Sequence, residues 1–482
     1  MIRTFLYFCI AMSICHDAVA NDLRDYVAAA LTDNYALISS ALGVEEQVHQ
    51  LKVSRAGLLP NVNLSASYAW NRNTSFADNA ADSQDRFDQQ NYSLSLSQSL
   101  FDLETILGVK GARLSLSRKK LELERDRIDT MNNVINAYFG YLRAYAQHRT
   151  THSELQSSNE RVAQIRRSHE LGNVARTDVF EAEADRARVI STLEVQENAL
   201  ELARQGLIEV SLLKGDPSRD IGDDIEIIPI SKTAYQGWKN YTHHHNFDFL
   251  ISQKQVETAR NDVNARAARF APNVSLNANY ARSRSNNDGA MAPPMNGHSQ
   301  SESVTLNLSA PIFAGGSNIY GLKAVRSAYK IARNDFLDTQ NRVMTELNDA
   351  YLNVNSSVRS VAILQGAVEL NRQSYKKIQK AYELGSRSLT DVAAAEAALF
   401  NAIRDYNNAR YDYLIHLSDF HQINGSLNFA MVEELSSQMI AIEGVGGSED
   451  QTIGAAVTPE TKETIETGWR PILTQQTARR RP

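Results

Sequence analysis

The sequence predicts an α+β membrane protein built as an internal tandem duplication, with four amphipathic strands per chain and helices of coiled-coil length. Three observations predict it. The two halves superpose at a nearly constant offset, four segments alternate apolar and polar residues, and two proline-free stretches repeat aliphatic residues every seven positions.

In chain order, residues 1–20 come first, with Arg3, an apolar run from Phe5 to Ile14, and Ala18-Val19-Ala20 at the end. That is the layout of a cleaved Sec-type signal peptide, so the mature chain is expected to start near Asn21. Both cysteines, Cys9 and Cys15, fall inside the leader, which leaves no thiol for a disulfide, a soft-metal site or a nucleophile. Met12-Ser13-Ile14 before Cys15 is a poor context for lipid attachment. The remaining chain has no run of 18 or more apolar residues, so any membrane crossing falls to strands. With 482 residues, 43% apolar and 22% charged, collagen-like and low-complexity classes are excluded. A net charge of −6 argues against a general nucleic-acid binder.

An offset of 212 aligns residues 34–101 with 246–313 without a gap, most clearly at Pro60-Asn61-Val62 and Pro272-Asn273-Val274. Further on the offset is 213. It pairs Glu170-Leu171-Gly172 with Glu383-Leu384-Gly385, Thr177-Asp178-Val179 with Thr390-Asp391-Val392, and Ala182-Glu183-Ala184 with Ala395-Glu396-Ala397. The first repeat is placed at 21–215, a linker or equatorial segment at 216–241, and the second repeat at 242–430.

Each copy opens with a helix, expected over 22–58 and 246–270. The strand-entry prolines Pro60 and Pro272 follow. Val62, Leu64, Ala66, Tyr68 and Trp70 then alternate with polar or small residues, as only a strand with one apolar face explains well. Strands are expected over 62–74, 90–101, 274–284 and 303–313, joined as two hairpins by polar loops at 75–89 and 285–302.

The period then becomes helical. Leu107, Leu114, Leu121 and Ile128 recur at seven-residue spacing, as do Leu347, Val354, Val361 and Val368, a supercoiling pattern. Long helices are expected over 104–171 and 317–384, ending where Gly172 and Gly385 can take a left-handed cap. Shorter helices follow over 177–213 and 390–423, with Thr177 and Thr390 as N-caps. The first long helix, 68 residues, would reach roughly 100 Å, and the two shorter helices of its copy nearly match it when stacked end to end. Glu104 stands where the second copy has Gly316, so the first strand-to-helix corner is expected to bend differently.

Four strands with one greasy face leave two open edges, and lipid does not tolerate unpaired backbone, so other chains are expected to complete the sheet. Tyr68, Trp70, Tyr92 and Tyr280 suit an interfacial aromatic girdle, and the Asn, Ser and Thr positions suit a wet lumen.

At this point the chain resembles the TolC-like outer-membrane efflux protein family. The resemblance runs to about Ala430. It is carried by the duplicated plan, the Pro-Asn-Val strand openings, Phe313-Ala314-Gly315-Gly316 after the last strand, and the two Leu-Gly…Thr-Asp-Val turns. It implies a homotrimer with a twelve-stranded transmembrane β-barrel, continuous with a long periplasmic α-helical coiled-coil barrel, in the outer membrane of a Gram-negative cell. It further implies a passive duct without cofactor or covalent chemistry. The duct would dock on a periplasmic adaptor protein and an inner-membrane ABC or proton-driven transporter, and its periplasmic helix hairpins would open like an iris. Its cargo would be proteins, as in type I secretion, or small toxic compounds.

By position in that family, Tyr382 and Arg387 look like side chains that lock the periplasmic tip, Thr177 and Asp178 like their partners, and Asp391 like a member of an acidic pore ring. The chemistry suits the role, since an Arg–carboxylate contact is charge-assisted and still breakable. The same residues also read as helix caps and dipole partners. Some family members carry a second acid three positions after Asp391; here Ala394 stands there, which makes the ring single-layered.

A rival reading is a periplasmic adaptor, which normally carries one helical hairpin and small β domains, whereas this chain repeats hairpins and strands. A hydrolase using Asp178 and Glu183 lacks a base and a ligand set. His243-His244-His245 would point around a helix and is read as solvated linker. Gly444-Val445-Gly446-Gly447 has neither the strand nor the helix of a phosphate loop, and residues 431–482 are expected as a disordered periplasmic tail.

Overall fold

The computed structural model describes residues 22–77, 80–222, 225–287 and 297–442. The expected leader, the Asp288-Gly289 and Pro293-Pro294 turns, the Gly444 cluster and the tail from 443 onward lie outside the described residues. In chain order the elements are α1 (Leu23–Asp33), α2 (Tyr35–Ala56), β1 (Asn61–Ala77), β2 (Ala80–Phe101), α3 (Leu103–Glu170), α4 (Arg176–Ser211) and β3 (Arg219–Ile221). They continue with α5 (Lys232–His245), α6 (Phe247–Ala268), β4 (Asn273–Asn287), β5 (Gly297–Ser309), α7 (Ser317–Glu383), α8 (Leu389–Asn424), α9 (Phe429–Ser437) and β6 (Met439–Ala441).

The helix expected over 22–58 is two helices. Asn34 breaks it: its extended backbone ends α1, and its Oδ1 accepts the N–H groups of Ala36 at 2.9 Å and Leu37 at 3.2 Å, which caps α2. Its Nδ2 donates to the carbonyl of Val210 near the end of α4, at 3.2 Å. The second copy repeats the device at Asn246, whose Oδ1 accepts from Phe249 N–H and whose Nδ2 donates to the carbonyl of Ile423. The segment expected as linker is therefore partly helical, α5 being the counterpart of α1, and the histidine run lies in its last turn. These asparagines hold the short helices end to end along α3 and α7.

The strands form one antiparallel sheet in the order β1-β2-β4-β5. β1 and β2 run through the expected loop at 75–89, to Ala77 and from Ala80, because the ladder needs backbone pairing and not an apolar face. β5 spans 297–309 and stops short of the expected 313, because Pro311 has no N–H to give the ladder; Ile312 and Phe313 are exposed beyond it.

Register puts all apolar rows on one face. Val62, Leu96, Ala278 and Val304 lie abreast, as do Leu64, Leu94 and Tyr280, and on both outer strands these side chains are exposed. The other face carries Asn63, Ser95, Asn279 and Ser303 in one row and Ser65, Ser93 and Ser301 in the next. Among the described residues, the outer edges of β1 and β5 have no partner strand.

The strand-to-helix corners differ between copies. Asp102 caps α3 from an extended backbone, its Oδ1 accepting from Glu104 N–H, whereas Gly315 and Gly316 both take left-handed φ angles, 58° and 82°, before α7. Glu104 pairs with Arg269 at 2.6 Å, an ion pair that Gly316 could not supply at the matching corner.

The densest core lies midway along α3, where α1 packs. Tyr26, Tyr138 and Phe139 are fully buried, and the Tyr26 and Tyr138 rings meet edge to face at 5.6 Å. The start of the expected tail is ordered: α9 packs on α1, with Arg24 and Glu433 2.9 Å apart, and β6 pairs with β3. β3 is fastened to α3 by Tyr138 Oη donating to the Arg219 carbonyl and to α8 by Tyr411 Oη donating to the Asp220 carboxylate.

Candidate functional site

The far ends of the helical hairpins hold every gate residue that the resemblance singled out. α3 closes at Leu171, where Gly172 turns left-handed with φ 76°, its N–H donating to the His169 carbonyl while Asn173 N–H reaches back to Ser168. Leu384 and Gly385, φ 74°, repeat this after α7, with Ser386 N–H donating to Ala381. Leu171 and Leu384 are left largely exposed at the turns.

α4 and α8 start one or two residues earlier than expected, so neither threonine is the N-cap. Ala175 and Ser388 hold those places, and Thr177 and Thr390 sit inside the first turns. Ser388 and Asp391 form a complete capping box: Ser388 Oγ accepts Asp391 N–H at 3.2 Å, and Asp391 Oδ2 accepts Ser388 N–H at 3.0 Å. The bonds from the Ser388 backbone and then its side chain, with a smaller contribution from Arg387, hold the Asp391 carboxyl below the ordinary aspartate range. Ala175 has no hydroxyl, so Asp178 has no capping box, and among the described residues its carboxylate accepts only the long 3.4 Å bond from Thr177 Oγ1.

The two tips pack on each other through apolar residues. Val162, Ile165, Ala182 and Leu389 are buried together, with Val174, Val179 and Tyr382 against them. Tyr382 thus packs against a cluster to which both copies contribute. Arg387 is 58% exposed and lies 3.9 Å from Asp391. Among the described residues, no hydrogen bond or ion pair joins Tyr382 or Arg387 to Thr177 or Asp178 within the chain.

Three polar links that the sequence reasoning missed lie at the tips, and two of them, those of Thr390 and Glu396, join the copies. Thr390 Oγ1 donates to Glu181 Oε1 at 2.9 Å, Arg166 pairs with Glu183, and Arg161 with Ser157 holds Glu396 in the interior. The signal for two of them was present in the repeated Ala-Glu-Ala motif, whose glutamates are Glu183 and Glu396. Groups of three or more side chains that could hold a metal ion are absent among the described residues.

Comparison with known proteins agrees with this architecture. The sequence profile described as Outer membrane efflux protein matches twice, over residues 27–210 and 241–426, which reproduces the duplication. The chain is 26% identical over 459 residues to the alkaline protease secretion protein AprF of Pseudomonas aeruginosa, covering 92% of each chain. It is 23% identical to the outer membrane protein TolC of Vibrio cholerae, covering 88% of this chain and 95% of that one. The crystal structure of the Campylobacter jejuni CmeC outer membrane channel superposes with a TM-score of 0.71 at 19% identity, covering 86% of this chain and 89% of that one. With both copies matched and both hairpin tips in place, the chain belongs to the outer membrane efflux protein family, of TolC-like channels.

Proposed function

We propose that the chain is the outer-membrane duct of a tripartite export system. Three copies join β5 of one to β1 of the next, closing a twelve-stranded barrel with its apolar rows in lipid and its Ser and Asn rows around water. The observation that carries this reading is the sheet itself: two unpartnered edges, one exposed apolar face and one polar face, joined directly to long paired helices. The strands, 17, 22, 15 and 13 residues long, exceed the 9–11 or so needed for a tilted crossing.

The helices extend the tube into the periplasm and close it at the tips. In the closed state Arg387, exposed and only loosely held by Asp391, reaches Asp178 of the adjacent protomer, whose carboxylate lacks a capping box. Tyr382 seals the apolar cluster, and Asp391 lines the entrance as an anionic ring kept ionised by its cap. Docking of an adaptor and an inner-membrane transporter draws the hairpins apart. The cargo is either secreted polypeptide, which the similarity to AprF supports, or small toxic compounds.

The test uses the absence of cysteine after Cys15. Single cysteines placed at the outer edges of β1 and β5 should cross-link into a ladder ending at three chains, and the purified protein should conduct ions in planar bilayers. A non-conducting monomer would overturn the reading.

A further inference from the structure

The apolar face of the sheet changes its chemistry at the end away from the helices. Past the rows of Val62 and Leu64, the next row sets Tyr92 beside Arg282, and the one after sets Arg284 beside His298. Arg72 shares the face, its guanidinium 5.4 Å from the centre of the Trp70 ring. Both Arg282 and Arg284 are exposed, and among the described residues neither makes an ion pair. The acids on this face include Asp88, opposite Trp70, and Glu302, which accepts a bond from Gln300 Nε2 at 2.9 Å.

Position gives the cluster its meaning. From Val274 to Arg282 the strand advances roughly 27 Å at about 3.4 Å per residue, or roughly 20 Å along the membrane normal at a tilt of about 45°. The two guanidiniums therefore emerge near the upper rim of an apolar band about 25 Å tall, Arg282 in the row of Tyr92 and Arg284 in the row of Tyr68. A guanidinium there faces headgroups, and its fork of donors matches phosphate oxygens bidentately.

The geometry points to a binding site at Arg282 and Arg284 for the phosphate-bearing headgroup of an outer-leaflet glycolipid, with His298 beside it. The site rests on the channel reading above, which decides which face meets lipid and which end faces outward. Three chains place three such sites around the rim. Each anchors the barrel vertically, because the apolar rows below take the acyl chains while the arginine pair takes the phosphates.

The experiment incubates the full-length, detergent-purified protein with lipopolysaccharide, or with the same glycolipid after removal of its phosphates, and reads bound lipid by native mass spectrometry. The variants are Arg282→Gln with Arg284→Gln, and Ser283→Gln on the opposite face as control. Phosphorylated glycolipid should bind the parent and the control alike. Dephosphorylation or the double substitution should each weaken binding by about tenfold or more, with planar-bilayer conductance unchanged. Equal binding by the double variant, equal binding of the dephosphorylated lipid, or full displacement by equimolar inorganic phosphate would each overturn the site and leave the channel reading standing. A parent protein that does not conduct would remove the channel reading, and the outward face with it.

Discussion

Glu396 on α8 is ion-paired with Arg161 on α3 in the interior, with side chains 4% and 14% exposed, and the Ser157 hydroxyl donates to the same carboxylate. Its counterpart in the first copy, Glu183, pairs with Arg166 near the surface, at 33% and 53%. The same repeated motif therefore makes a wet link within one copy and a dry link between copies, close behind the tips. Glu396→Ala should be costly, about 3–5 kcal/mol, because it leaves Arg161 buried without a counter-charge. Glu183→Ala should stay within about 1 kcal/mol. Urea titrations followed by far-UV helicity separate the two, and equal midpoints would mean that water reaches the Arg161 pair.

Arg387→Ser combined with Tyr382→Phe should raise single-channel conductance. The first change removes the cation proposed to bridge protomers and the second a hydroxyl, while the ring still fills the Val162 cluster. Because the packing is retained, melting temperature should hardly move. An unchanged conductance would take both residues out of the gate. Asp391→Asn should leave conductance near the parent value and reduce cation preference, read as a smaller reversal potential across a salt gradient.

What the sequence revealed depended on the kind of signal each element carries. The stretch of each strand next to the helices was visible because one apolar face imposes a two-residue period, but beyond Trp70 the ladder continues with largely polar residues on both faces and the period vanishes. The breaks at Asn34 and Asn246 were invisible to periodicity because each interrupts the helical pattern for a single residue, although α2 leaves α1 at 42°; only the repetition of an asparagine at one offset marked them. At the tips, the glycines with positive φ were legible from turn chemistry. Both caps were misplaced by two residues, because Ser388 precedes an equally plausible threonine and Ala175 offers no capping side chain to mark the place. Contacts between copies, such as Arg161 with Glu396, needed three dimensions.

Acid should weaken the equatorial end of α8. The His421 ring lies among Trp238 and Phe420, with centroids 5.7 Å and 5.6 Å away, and its Nδ1 meets Ser426 Oγ at 2.7 Å. Burial pushes its pKa from 6.5 down to about 4. Between those values the unfolded chain binds a proton that the folded chain refuses. Stability from this group is therefore complete above pH 6.5 and declines toward pH 4. The total is about 3 kcal/mol. Unfolding midpoints measured from pH 7.5 to 4.5 should fall, and His421→Gln should flatten the slope. A variant with the parent's slope would assign the acid sensitivity to other groups.

Leu212 and Gly425 end α4 and α8 at matching places in the two copies, and both backbones are left-handed, with φ 58° and 78°. Glycine is required at only one of them. A Cβ on Gly425 would fall 2.4 Å from the backbone oxygen of His245, where α5 passes into α6, and that carbonyl cannot yield without disturbing the Asn246 cap. Gly425→Ala therefore adds a steric cost of about 1–3 kcal/mol to the left-handed penalty of about 1–2 kcal/mol. Leu212 already bears the left-handed penalty and is 37% exposed. Leu212→Gly relieves it while losing a comparable amount of apolar burial, for a net change within about 1 kcal/mol. Thermal unfolding of the two variants should thus diverge, Gly425→Ala several degrees below the parent and Leu212→Gly close to it. A neutral Gly425→Ala would mean that the α5–α6 junction moves aside, and that it is less tightly fastened to the end of α8 than the Asn246–Ile423 bond implies.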